Sequence, residues 1–185
     1  GWLMTKPKNE RLILGNPRET MGQAMLRGIV DGLIDEDQTL PFIDPDPVSW
    51  IEAHYRIPET DNHRLELGDY QKACLRHALT RNEDGHFPYS LIVWSDIKKS
   101  AKSSVAAAVA LWRAFNTPWG SIKIVANDLK QADSRVAFYI RRCIELNPAM
   151  KKIANVKPSG YYIELPNYAK IEAIPVDPSG EAGGN

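Results

Sequence analysis

At 185 residues the chain can hold one well-cored domain, or a domain with an appendage, and its 43% apolar and 25% charged content is ordinary for a globular protein. Its 23 basic residues balance 23 acidic ones, which excludes a uniformly basic surface and confines any nucleic-acid contact to a local patch. Cys74 and Cys143 stand in no metal or redox spacing, no apolar run reaches the roughly 18 residues of a membrane span, and the N-terminus does not read as a signal peptide; a soluble, cytoplasmic protein with two reduced thiols in or near its core is expected.

In chain order, "NPRETMGQAMLRGIVDGLIDED" predicts a helix. Asn16 can cap it, Pro17 suits its first turn, and Glu19 completes a capping-box pattern. Met21, Met25, Ile29 and Leu33 form one stripe, which reads as core or an interface. The acidic, proline-bearing "DEDQTLPFIDPDP" that follows is a linker signal and puts a boundary near Pro47. The expected organisation is therefore a helical segment and linker over 1–47 and a second unit over 48–185.

A short helix is predicted before Pro58, and a second opened by Asp69 and closed between Asn82 and Gly85. "SLIVWS" reads as a buried strand, and "AKSSVAAAVALWRAF" as a helix with Val105, Ala108, Val109 and Trp112 on one face. Then come the strand "SIKIVAN" and a long helix with Leu129, Ala132, Val136, Ile140 and Cys143 inward. "GYYIEL" and "AKIEAIPV" follow as a strand pair or two sheet strands. This alternation predicts an α/β fold, a sheet with helices on its faces. Trp94 and Trp112 read as core. His54, His63, His77 and His86 show no ligand spacing.

Chemistry concentrates between the first strand and its helix, in "KKSAKSS". A phosphate-binding loop needs backbone N–H groups that converge on one point, a lysine that reaches the terminal phosphates, and a hydroxyl for Mg²⁺. Lys102 and Ser103 fit the strict G-x-x-x-x-G-K-[ST] pattern, but Asp96 and Ala101 occupy the two glycine positions. Lys98, Lys99 and Lys102 crowd a helix N-terminus that already carries partial positive charge, a placement that a polyanion would relieve. If Ala101 must take a positive φ, strain of order 1 kcal/mol follows.

"IKKSAKSS" resembles, position by position, the deviant loop of tailed-bacteriophage (or prophage) terminase large subunits, Pro-Arg-Lys-Asn-Gly-Lys-Ser. Lys98 stands at the family's arginine, Lys99 at its lysine, Ser100 at its asparagine and Ala101 at its glycine, with Lys102 and Ser103 retained. "DYQKACLRHAL" is similar to the family's upstream adenine motif, and Gln131-Ala132 to the pair that opens its long helix. "IEAIPVDPSGEAGGN" resembles the segment before its acidic strand. Taken together the resemblance runs from about Trp50 to Asn185.

The resemblance implies an ASCE-type P-loop NTPase, with a mostly parallel sheet flanked by helices and an N-terminal helical appendage. It implies ATP and Mg²⁺ bound by Tyr70, Gln71, Lys98, Lys99, Ser100, Ala101, Lys102, Ser103 and Ser104. Gln71 would read the adenine edge, Ser103 would hold the metal, and Lys102 and Lys98 would serve catalysis. The whole protein would drive double-stranded DNA into a procapsid in the host cytoplasm. It would work as a homo-oligomeric ring with portal protein and small terminase subunit, and without a membrane. The family's acidic Asp-Glu strand is not visible. Asp177, followed by Pro178, reads as a loop residue, and the chain reads as ending before that strand. Two other readings stay open: a degenerate phosphate-loop scaffold without hydrolysis, and a helicase-like ATPase.

Overall fold

The computed structural model describes residues 42–58, 63–126, 136–157 and 162–175. The predicted N-terminal helix, most of the linker, Gln131-Ala132 and Asp177 lie outside the described residues.

Among the described residues the first helix, α1 (Pro47–His54), starts where its sequence dictates. The Asp46 carboxylate accepts the Val48 N–H at 3.2 Å and the Ser49 hydroxyl at 2.8 Å, and Pro47 at the first turn has no N–H to satisfy. Trp50 and Ile51 are fully buried. α2 (Asp69–Leu79) begins after Gly68, whose N–H is accepted by the Gln71 side chain at 2.9 Å. Two ion pairs tie the helices together, Arg76 to Asp46 and Lys72 to Glu52, each at 2.9 Å.

α3 (Lys102–Phe115) forms the centre of the core. Its small residues Ala107, Ala108 and Ala114 are fully buried and let neighbours approach closely, while Leu111, Trp112 and Phe115 fill the space around them. Two buried asparagines satisfy its C-terminal carbonyls, which have no partner inside the helix. Asn116 Nδ2 donates to Trp112 O at 3.0 Å, and Asn167 Nδ2 donates to Ala114 O and Phe115 O at 2.8 and 2.9 Å. Phe42 and Asp44 close over this end. The Trp112 indole N–H donates to Asp44 O at 2.9 Å, and Phe42 stacks obliquely on Phe115 at 4.8 Å.

The sheet comprises β1 (Ser121–Ala126), β2 (Asn155–Val156), β3 (Tyr162–Glu164) and β4 (Lys170–Pro175), in the order β1-β4-β3-β2. β1 and β4 run parallel with Ile122 opposite Ile171 and Ile124 opposite Ala173. The crossover between them carries α4 (Phe138–Leu146) and α5 (Pro148–Ile153), and α4 buries Ile140, Cys143 and Ile144. β3 and β4 are antiparallel, as are β2 and β3. The expected strand pair after residue 160 is thus a hairpin, and the α/β class holds. The mostly parallel sheet does not hold among the described residues, where one pair is parallel and two are antiparallel. The short links of β2, β3 and β4 permit only antiparallel neighbours, since a parallel return needs a long crossover.

A second difference concerns "SLIVWS". Residues 91–97 are in no strand, and Leu91 and Val93 are 77% and 82% exposed. The apolar run reads as a sheet interior, but a strand needs a neighbour, and none of the described strands lies against it. Cys143 is buried and burial pushes its thiol up to about 12, whereas Cys74 is exposed rather than near-core.

Asp46 both caps α1 and binds α2. Burial raises its pKa, but the hydrogen bonds from Arg76, Ser49 and Val48 outweigh this and bring it down to about 2. The depressed carboxyl contributes its full stability above the ordinary value near 4, and loses it as pH falls through about 2. Asp46→Ala is expected to cost about 1–2 kcal/mol at neutral pH in urea denaturation. The deficit should shrink as both proteins are taken below pH 3.

Candidate functional site

The extended chain from Leu91 leads into a bend at Lys98–Ala101, and α3 starts at Lys102. Two non-glycine residues of the bend are left-handed, Lys99 at φ 70° and Ala101 at φ 60°. The first-turn N–H groups of α3 point out of its end, no acidic residue stands in that turn, and no side chain caps it. Lys102, Ser103 and Ser104 surround this end, and Ser104 is buried.

Such backbone strain persists only where surroundings enforce it. Here four contacts do so. Lys102 Nζ donates to Asp96 O at 2.8 Å and to Ile97 O, so the bend wraps its own lysine. Gln71 Nε2 donates to Ser100 O at 3.3 Å, and the Tyr70 hydroxyl donates to the Asp96 carboxylate at 2.6 Å. That last bond lowers the Asp96 pKa and raises that of Tyr70. α2 and the bend are thereby clamped at two points. Gln71 is buried with its amide oxygen on Gly68 and its amide nitrogen on Ser100, so both ends of the side chain are engaged within the fold.

Three cavities meet at the bend. One of about 490 Å³ is lined by Lys98, Lys99, Lys102, Ser103 and Ser104 together with Ile57, Leu65 and Tyr139. A second, about 590 Å³, runs along the flank of α3 between Trp94 and Ile124 to Arg113. Burial, and then the neighbouring Arg81, bring the Arg113 pKa down to about 10, and both guanidinium groups sit over the Phe87 ring, at 3.9 and 4.3 Å. The third, about 400 Å³, has Tyr70, Asp96, His77 and Tyr89 in its wall.

The bend therefore gathers Lys98, Lys99, Ser100, Ala101, Lys102, Ser103 and Ser104 at one helix end. Tyr70 and Gln71 touch the bend from α2; Gln71 lines none of these cavities, and Tyr70 lines only the third. Ile57, Leu65 and Tyr139 escaped the sequence reading. Tyr139 lies beside the inward stripe of α4 rather than on it, and no motif marks it.

A divalent cation suits this donor set in one way. Among the described residues the 490 Å³ cavity offers the hydroxyls of Ser103 and Ser104 and no carboxylate. A Mg²⁺ there would take its remaining oxygens from a bound polyphosphate and water.

Ala101→Gly tests the strain directly. Glycine occupies φ near 60° without penalty, so the variant is expected to gain about 1 kcal/mol, a rise of about 2–4 °C in Tm by calorimetry. A Tm lowered by the full entropic cost of an added glycine, about 0.4–1 kcal/mol, would show that the bend is not strained at Ala101.

No protein-family model matches the sequence, and no curated protein matches it. Among solved structures the fold is similar to that of the large terminase of bacteriophage HK97, with a TM-score of 0.61 at 20% identity. The match covers 76% of this chain and 27% of the terminase chain, so this chain corresponds to about a quarter of that protein. A likeness at this identity establishes a shared fold: a mixed α/β unit with helices packed on a four-stranded sheet.

Proposed function

We propose that this chain is the ATP-binding part of a viral DNA-packaging motor, a P-loop NTPase unit of the terminase type whose phosphate loop has lost both glycines. One observation carries the reading. The left-handed bend puts three lysines and two hydroxyls around the open end of α3, in a fold shared with a phage large terminase.

In this reading the triphosphate lies over the first turn of α3, where unpaired N–H groups and the helix dipole favour anions. Lys102 leaves the carbonyls of Asp96 and Ile97 and neutralises the terminal phosphates. Ser103 would hold Mg²⁺ through its hydroxyl, and the ion when bound would offset phosphate charge. Lys98 and Lys99 add positive charge at the rim. Lys98 is a point charge without the fork of an arginine, so its share in stabilising the transition state is Coulombic. Gln71 and Tyr70 hold the bend, through Ser100 and Asp96.

Phosphoryl transfer runs on positioning and charge stabilisation, and this chain's own residues supply the binding half of that chemistry. Translocation of double-stranded DNA into a procapsid belongs in this proposal to the whole protein, acting as a ring with portal protein and small terminase subunit. The test is a calorimetric titration of the folded chain with ATP, with and without Mg²⁺. Saturable binding that weakens when Mg²⁺ is removed is the expected result. No heat from ATP in either buffer would instead favour a degenerate loop that serves as scaffold. The Asp96 carboxylate at the first glycine position is the observation that points toward that second reading.

A further inference from the structure

We propose that Arg81 and Arg113, whose guanidinium groups both sit over the Phe87 ring, receive the carboxylate of a partner polypeptide that lies as an extended segment along the cavity beside α3. The pair belongs to the opposite end of α3 from the phosphate loop, and nothing in this inference depends on a bound nucleotide.

Arg113 sits on the last turn of α3, and Arg81 follows the end of α2. Their guanidinium carbons stand 3.9 and 4.3 Å from the centre of the Phe87 ring. Both side chains are partly buried, which lowers the pKa of each, and the charge of Arg81 lowers that of Arg113 further. Arg81 donates one bond to Gly85 O, but its Nε and the Nη1 of Arg113 are buried without a hydrogen-bond partner. The ion pairs among the described residues are Lys72–Glu52, Arg76–Asp46 and Arg142–Glu145, so neither guanidinium has a carboxylate. An aromatic face offsets part of a cation's charge, yet it offers no lone pair to the in-plane N–H groups. Two like charges drawn out of water with donors unmet are unfavourable until an anion meets them. A carboxylate answers both needs, since its two oxygens match the guanidinium fork.

Arg113 is in the wall of the 590 Å³ cavity, together with Lys102, Ser103 and Lys123; the rest of the described lining is apolar, and none of it is a carboxylate. Lys102 and Arg113 stand about 16 Å apart along the helix, at roughly 1.5 Å per residue. Phosphates held at the Lys102 end therefore leave Arg113 unpaired. The apolar stretch between the two cations refuses a strongly hydrated polyanion such as a nucleic-acid backbone.

The walls favour a polypeptide as the carrier of the carboxylate. Ile122 and Ile124 of β1 line the cavity, as do Ile92 and Trp94 of the extended chain. β1 stands at the end of the sheet order and pairs only with β4 among the described strands, so its outer edge presents free backbone donors and acceptors. An extended segment satisfies such an edge with its own backbone and turns alternate side chains onto the apolar lining, Val105 and Val109 included. A free organic acid would fill the apolar space and leave the edge open. The partner is thus a strand with apolar residues at every second position and an acidic residue where it reaches Arg113.

The probes are labelled, acetylated peptides as long as β1, six residues, of alternating valine and threonine with aspartate at the first or the last position, and the same peptides with asparagine. Fluorescence anisotropy is read on the wild type, Arg113→Gln and Arg81→Gln. One aspartate peptide is expected to bind the wild type about tenfold more tightly than its asparagine counterpart, the usual advantage of a charge-assisted bond. Arg113→Gln should reduce that advantage to within about twofold, and Arg81→Gln should reduce it in part. The proposal is overturned if aspartate and asparagine peptides bind the wild type alike, if no peptide binds, or if Arg113→Gln keeps the preference. It is also overturned if octanoate displaces the aspartate peptide at equal concentration, which would make the site one for free organic acids. Should Arg113→Gln fail to fold, the wild type carries the test through pH. The aspartate advantage should disappear as pH falls through about 4, where that carboxyl takes up its proton, and an advantage that persists below this counts against a carboxylate on the arginine pair.

Discussion

Lys102→Ala is expected to weaken ATP binding at least about 100-fold in a calorimetric titration, with the far-UV circular dichroism spectrum unchanged. The size follows from charge. An ammonium about 4 Å from one phosphate charge is worth roughly 4 kcal/mol at the effective dielectric of a protein surface, and solvent and salt discount this by about a third. The remainder corresponds to two orders of magnitude in affinity. Little stability is at stake, because the lysine's partners, Asp96 O, Ile97 O and the Ser100 hydroxyl, lie within its own bend. Ala101 and the helix beyond it stay in place through Ser104, Val105 and Ala108, which are buried independently of the lysine. Lys102→Arg is expected to lose most of the affinity as well, since a planar fork does not fit where the bend encloses a compact ammonium. Equal dissociation constants for wild type and Lys102→Ala would remove the phosphate loop from the account of this protein.

The contrast between Lys102 and Gln71 shows how far residue patterns reach. Lys102 sits at the start of a helix with strong apolar periodicity, and both its position and its neighbours Ser103 and Ser104 follow from local rules. A positive φ at Ala101 was raised by the sequence only as a condition of a curled bend, and the structure has it at 60°. Gln71 is different. The pair Tyr70-Gln71 could be found in the sequence, but which atoms its amide meets depends on the path of a bend some 30 residues away, and that path is a tertiary fact. Tyr139 carried no signal at all, since one residue beside an inward stripe has the same local pattern as any half-exposed helix position.

Residues 91–95 illustrate the opposite case, in which the pattern was clear and the structure departs from it. Leu91, Ile92 and Val93 have the composition of a buried strand, yet all three are exposed. Apolar composition reports that a segment is suited to burial. Whether it is paired depends on a neighbouring strand that no local window contains. The hairpin of β3 and β4 was predictable for the converse reason, because its two strands are adjacent in sequence and the turn between them fixes their register. The sheet order was beyond reach, since the parallel contact of β1 with β4 spans a crossover of more than 40 residues.

The largest effect on stability is expected from Trp112→Ala, about 3–5 kcal/mol in urea denaturation. Trp112 is 1% exposed on the last turn of α3 and meets the Phe87 ring edge-on at 6.3 Å. Its indole N–H donates to Asp44 O at 2.9 Å, and this bond joins the helix to the segment that enters the core at Phe42. Truncation leaves a cavity and deprives a part-buried carbonyl of its donor, and the two penalties add. Against a total stability of about 5–15 kcal/mol for a domain of this kind, such a loss removes from about a fifth to all of it, and it populates the unfolded chain at room temperature where the wild type lies at the low end of that range. Trp112→Phe separates the two contributions, because it keeps much of the ring volume and drops the hydrogen bond; about 1–2 kcal/mol is expected for it. The proposed nucleotide site should report the difference as well. α3 presents Lys102 and Ser103 at its other end, so a folded Trp112→Phe protein should bind ATP as the wild type does, while Trp112→Ala should bind it only in proportion to the fraction folded. Wild-type stability in Trp112→Ala would mean that this helix is not the centre of the core, and the placement of the phosphate loop that depends on it would fall too.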